Sequence, residues 1–133
     1  MFSKISKMMT WDQLMDINVK PYRKPIIEEE YKLFRKNKIN TDYIINELLI
    51  DKNKDLHLTV NKYPYYIEEN VLHLIIWDLN SDKNNKKNIS RYKKFVKKFF
   101  NLKNFDIIMR INKNEHQSIP EIKHCHLFLR FKK

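Results

Sequence analysis

The chain has 133 residues, the size of one domain, and its 42% hydrophobic and 13% aromatic content excludes a disordered chain. Glycine is absent, which excludes a P-loop and the glycine-rich dinucleotide fingerprint. The single cysteine, Cys125, excludes an internal disulfide and a multi-cysteine zinc site and fits a reducing, cytoplasmic compartment. No apolar run approaches the ~20 residues of a membrane span. The first residues lack a secretory core, so no membrane partner is expected.

A formal charge of +11 points to a polyanionic partner. It has a competing source. Alanine is also absent, while Lys, Asn and Ile fill 22, 15 and 17 positions. All three have AT-rich codons, so a biased genome raises lysine without selection for binding. Only 5 of 27 basic residues are arginine, the preferred fork for phosphate.

The first half reads as a helical front, residues 1–55 of a single domain. Thr10 suits the N-cap of a short helix through Met15. Pro25 suits the first turn of a second helix, with acids near its start and Arg35, Lys36 and Lys38 near its end. Thr41 suits the cap of a third, carrying Tyr43, Ile44, Ile45, Leu48 and Leu49. Residues 56–133 read as four strands around one helix. Leu56 to Lys62 is the first strand, closed by Tyr63-Pro64-Tyr65. Val71 to Trp77 is nearly apolar and so central. Asn80 to Asn88 reads as a polar loop. Ile89 to Phe100 is an amphipathic helix with Ile89, Tyr92, Phe95, Val96, Phe99 and Phe100 on one stripe. Phe105 to Asn112 and Ile122 to Phe131 complete the set. The expected class is α+β, an antiparallel sheet with helices on one side. The run from Lys83 to Lys103 holds nine Lys/Arg. It reads as a solvated helix face or as an electrostatic track for nucleic acid.

In the last strand, alternation puts His124, His126, Phe128 and Arg130 on one face. Cys125, Leu127, Leu129 and Phe131 take the other, apolar face, which should pack on helices. Two imidazoles turned away from the core suit three chemistries. One ring can attack phosphorus while its neighbour binds phosphate. Both can hold a divalent metal, with Glu115, Glu121 and Tyr92 as further candidates for a nuclease. Both can bind a ligand without reaction. The bland alternative is two surface histidines. In the second strand Val71, His73, Ile75 and Trp77 share a face, so a one-layer sheet can bring His73 near the pair. Asn112, Gln117 and Ser118 offer short neutral donors. Tyr63, Tyr65, Tyr66 and Trp77 can stack on bases if exposed.

The run NKYPYYIEENVLHLIIW, then a helix, then QSIPEIKHCHLFL resembles the family named for N-acetylglucosamine-induced protein 1, found mainly in fungi with viral relatives. Trp11, Arg23-Lys24-Pro25 and Tyr31 follow in similar order. That resemblance implies no activity; for a viral member the compartment would be virus-factory cytoplasm. A more distant likeness is to the histidine-triad superfamily of nucleotide hydrolases and transferases. It rests on Asn61 to Tyr65, His73, Asn112, Gln117, Ser118, His124 and His126 in matching order. The likeness implies a histidine-triad-like sheet, with His126 as nucleophile toward a nucleotide or other phosphorylated small molecule. His124 flanks it, and Gln117, Ser118, Asn112, His73, Asn61 and Tyr65 contact phosphate or nucleotide. No cofactor is implied. The third histidine of that pattern is Phe128, and Glu121-Ile122-Lys123 is an insertion. The alternative expectation is a basic, non-catalytic nucleotide- or nucleic-acid-binding domain.

Overall fold

The computed structural model describes residues 7–36, 46, 53–80, 85–113, 117 and 122–132. The expected third helix at Thr41 to Leu49 lies outside the described residues, its Asn46 apart. Helix α1 spans Trp11–Met15 and α2 spans Pro25–Arg35. Thr10 caps α1 reciprocally with Gln13: the Thr10 hydroxyl accepts from the Gln13 backbone, and the Gln13 side chain accepts from the Thr10 backbone. Pro25 opens α2, where its missing N–H has no helical partner to lose.

Strands β1 (Leu56–Val60), β2 (Leu72–Asp78), β3 (Phe105–Arg110) and β4 (Lys123–Phe131) form one antiparallel sheet in the order β1-β2-β4-β3. The two most buried strands, β2 and β4, are central. Helix α3, Asn85–Val96, connects β2 to β3, so β4 slots between the strands that this crossover joins. The fold is α+β, as expected.

Three details differ from the sequence reading. First, α3 begins at Asn85, within the expected loop, and ends at Val96. Second, Phe99, expected on the apolar stripe, follows the helix and is 57% exposed. Third, the sheet is covered on both faces. Tyr92 and Val96 of α3 pack on Leu74, Ile76, Cys125, Leu127 and Leu129, as the cysteine face requires. The histidine face is covered too, by Met9 and Leu14 of the N-terminal segment, which join Tyr65, Ile108 and Phe128 in a second core.

A buried arginine explains that second layer. Arg110 ends β3 on the histidine face and is almost fully buried. Its Nη1 donates to the carbonyls of Gln13 (3.1 Å) and Leu14 (3.2 Å), and Nη2 donates to the carbonyl of Val19. A short helix leaves its last carbonyls without intrahelical donors. One guanidinium supplies donors to those of α1 and of the turn beyond it. Backbone bonds from Met9 to Tyr66 (2.7 Å) and from Tyr66 to Tyr22 (2.9 Å) complete the attachment.

Candidate functional site

Register places the candidate residues in rows. His126 stands opposite Ile75 of β2 and Arg110 of β3, and His124 stands opposite Trp77. The sequence reading has the two imidazoles turned away from the core. The structure corrects this: His73, His124 and His126 are all buried, because the layer held by Arg110 and the loop carrying Tyr65 lie over them. Tyr65 and Trp77 are buried as well, at 5% and 2% exposure, so neither is available to stack on a base.

Two obligate donors fix the proton positions around His126. The backbone N–H of Tyr65 donates to Nδ1 of His73 (3.3 Å), so the neutral His73 ring carries its hydrogen on Nε2. That hydrogen is donated to Nδ1 of His126 at 2.9 Å. His126 therefore carries its own hydrogen on Nε2 and donates it to the Tyr65 hydroxyl oxygen at 3.1 Å. From the other side, Nε of Arg110 donates to Oδ1 of Asn112 (2.6 Å). This orients the amide so that Nδ2 of Asn112 donates to the Tyr65 hydroxyl oxygen at 2.8 Å. Asn61 lies alongside: its Oδ1 accepts from Tyr63 N–H (2.9 Å), and its Nδ2 donates toward the lone pair on Nδ1 of His73 at 3.5 Å.

The electrostatics agree with neutral rings. Burial, with the Arg23 charge adding to it, brings the His73 pKa down to about 3. Burial also holds His126 well below the usual histidine range, reinforced by His73, His124, Arg23 and Arg110. Burial pushes the Tyr65 phenol up to about 12 despite the Asn112 hydrogen bond. With both nitrogens of His126 engaged and the ring enclosed by Tyr65, His73 and Phe128, this arrangement presents no lone pair of His126 to a phosphorus atom.

His124 is held differently. Its Nδ1 donates to the carbonyl of Ile122, two residues earlier, at 2.7 Å. A carbonyl only accepts, so in the neutral ring the lone pair lies on Nε2. The ring sits against Trp77 (centroids 5.2 Å apart) and edge-on to His126 (5.3 Å, 72°). Trp77 is itself fixed by its indole N–H, which donates to the Thr59 hydroxyl at 2.8 Å.

One residue further along both strands, Asp78 gathers charge on the opposite face. Its carboxylate accepts from the Tyr92 hydroxyl (2.6 Å) and Arg91 (3.1 Å) and pairs with Lys123 (3.3 Å). Burial alone would raise its pKa, but the donors from Tyr92, Asn80 and Arg91, with the Lys123 charge, bring it below the ordinary value.

Of the candidate residues, the structure brings together Asn61, Tyr65, His73, Asn112 and His126 in one hydrogen-bonded cluster, with His124 at its end. Gln117 attaches through Nε2 to the Asn112 carbonyl at 2.9 Å. Ser118, Glu115 and Glu121 lie outside the described residues. Tyr92 is on the α3 face, bonded to Asp78, and does not reach the histidines from there. Among the described residues, no group of three metal-ligating side chains is assembled. Sequence reasoning missed Arg110 and Asp78. It placed Arg23 only by resemblance: its guanidinium lies 4.1 Å over the Tyr31 ring, donates to the Tyr63 carbonyl and pairs with Glu28.

Three similarities locate the chain among known proteins. N-acetylglucosamine-induced protein 1 of Candida albicans is 30% identical over 141 aligned residues. The match covers 96% of this chain, which spans 54% of that relative's length. A crystal structure titled HTC1 superposes with a TM-score of 0.64 at 18% identity, covering 92% of this chain and 85% of the other. At that identity the likeness concerns the fold. Residues 2–130 match the family described as protein of unknown function DUF3605, and the chain belongs to that family.

Proposed function

We propose that the chain is a histidine-dependent phosphoester or nucleotidyl hydrolase or transferase in which His124, rather than His126, is the attacking ring. The single observation that carries this reading is the bond from Nδ1 of His124 to the Ile122 carbonyl at 2.7 Å. It fixes the orientation of the ring through Nδ1 and, in the neutral ring, assigns the hydrogen to that nitrogen. The distant likeness to the histidine-triad superfamily supplies the reaction class. In the proposed step Nε2 bonds to the phosphorus, and the bond from phosphorus to the leaving group breaks with its electron pair. Water then attacks the phosphohistidine, its proton passes to solvent, and the ring is released. His126 serves as a positioning residue, fixed from behind by His73 and Tyr65.

The test is incubation of the protein with labelled nucleoside phosphoramidates, dinucleoside polyphosphates and capped RNA, with an alkaline quench to preserve phosphohistidine. The expected result is an adduct on His124 and turnover reduced about a thousandfold or more by His124→Ala. No turnover and no adduct with any of these substrates, or an adduct retained in His124→Ala, overturns the reading.

A second reading, non-catalytic nucleotide or nucleic-acid binding, draws on the exposed Lys87, Lys93, Lys94, Lys97 and Lys98 of α3 and the turn after it. It predicts affinity that falls steeply with salt and is unchanged by His124→Ala.

A further inference from the structure

A cavity of about 310 Å³ opens beside the closed end of the histidine cluster. Its volume is at the small end of the ~300–1,000 Å³ range of small-molecule sites. The walls are mainly apolar: Ile27 from α2, Val60 from β1, Ile67 and Val71 from the β1–β2 connection, and Leu72 from β2. The inner polar wall is Asn61 and His73, and both are engaged: Asn61 by Tyr63, His73 by Tyr65 and His126. His73 is held neutral by burial and by the Arg23 charge, so the floor carries no charge of its own. The nearby Arg23 is paired with Glu28.

Charge enters only at the rim, and there its sign is unusual. Lys24, Glu68 and Glu69 line the mouth, one cation against two carboxylates, on a chain whose formal charge is +11. The Lys24 ammonium stands 5.3 Å over the Tyr66 ring, a cation–π contact. Among the described residues neither Glu68 nor Glu69 has an ion-pair partner. An apolar slot with a neutral floor and an acidic lip matches a molecule with an apolar body and a cationic head.

We infer that this cavity binds a small amphipathic amine, its hydrocarbon part between Ile27, Val60, Val71 and Leu72 and its ammonium at the carboxylates of Glu68 and Glu69. The site is separate from His124, with His73 and His126 between them, so the inference does not depend on the proposed chemistry.

The full chain is titrated with three probes of matched shape, 2-phenylethylammonium, 2-phenylethanol and 3-phenylpropionate, followed by methyl NMR shifts of Ile67, Val71 and Leu72. The ammonium is expected to bind about fivefold more tightly than the alcohol, and the alcohol more tightly than the carboxylate. Glu68→Gln with Glu69→Gln removes the ammonium's advantage and leaves alcohol binding unchanged. Val71→Trp fills the slot and abolishes all three; if it fails to fold, Leu72→Trp at the rim serves the same purpose. His124→Ala leaves every affinity as it was. Equal or tighter binding of the carboxylate, or no shift at these methyls with any probe, overturns the inference.

Discussion

His124 and His126 stand two residues apart on one face of one strand, yet their surroundings assign them opposite work. At the His126 end, side chains take both nitrogens: His73 donates to one and Tyr65 accepts from the other. At the His124 end, the backbone takes one nitrogen, through the Ile122 carbonyl, and by taking it fixes where the lone pair must lie. The first arrangement makes a ring part of the core. The second makes a ring directional. Sequence alternation shows that both face the same way, but the partner of each nitrogen decides the chemistry.

The largest test of this contrast removes the cover over the closed end. Arg110→Met removes the guanidinium donor from the carbonyls of Leu14 and Val19 and the Asn112 amide, and leaves the Gln13 carbonyl with the Asp16 N–H alone. It is expected to cost about 3–5 kcal/mol in urea unfolding, because the lost partners are buried. A loss under about 1 kcal/mol would mean that other contacts hold the N-terminal layer.

Next, the two rings should differ in their weight for stability. His126→Ala opens a void and strands Tyr65 and His73, an expected loss of about 3 kcal/mol. His124→Ala, at the cluster's end, should cost about half that. Equal losses would erase the distinction between core ring and directional ring.

Acid should act on the closed end specifically. The folded pKa of His73, about 3, and that of His126 both lie below the unfolded value near 6.5. The unfolded chain therefore takes up protons first. The stability these neutral rings contribute is complete above pH 6.5 and falls by about 1.4 kcal/mol per ring for each pH unit below it, until the folded pKa is reached. Urea midpoints should drop between pH 7.5 and 5.0, and His126→Phe should make that drop shallower. A flat profile over this interval means the folded rings take up protons at the same pH as the unfolded chain.

The smallest effect concerns the other face of the same strand. Burial pushes the Cys125 thiol up to about 12, so iodoacetamide at pH 8 should leave the native protein unmodified and label it fully in urea. Rapid native labelling would show that α3 does not seal that face.

Much of the frame is legible in the sequence. The alternation from His124 to Phe131, the apolar run of β2 and the Tyr92–Val96 stripe of α3 each follow from period alone. The start of α3 is not, because Asn85-Lys86-Lys87-Asn88 has no apolar residue to mark a helix. The covering of the histidine face is not legible either, since it depends on Arg110 reaching carbonyls 91 to 97 residues away. A usable signal was present all the same. In a chain with 22 lysines, four of the 5 arginines stand out. Arg23 stacks over Tyr31, Arg91 reaches Asp78, Arg110 pins α1, and Arg130 joins Asp106 while lying over Trp11. These are fork-shaped or stacked contacts that a lysine does not reproduce.

The most direct test of the central contrast is long-range ¹H–¹⁵N NMR of the histidine rings in the folded protein at pH 7 and again at pH 5. The account predicts His124 as the Nδ1–H tautomer at pH 7, with His73 and His126 as neutral Nε2–H tautomers that persist at pH 5. An Nε2–H tautomer at His124, or a His126 ring that titrates near 6.5 like a solvent-exposed one, would contradict it.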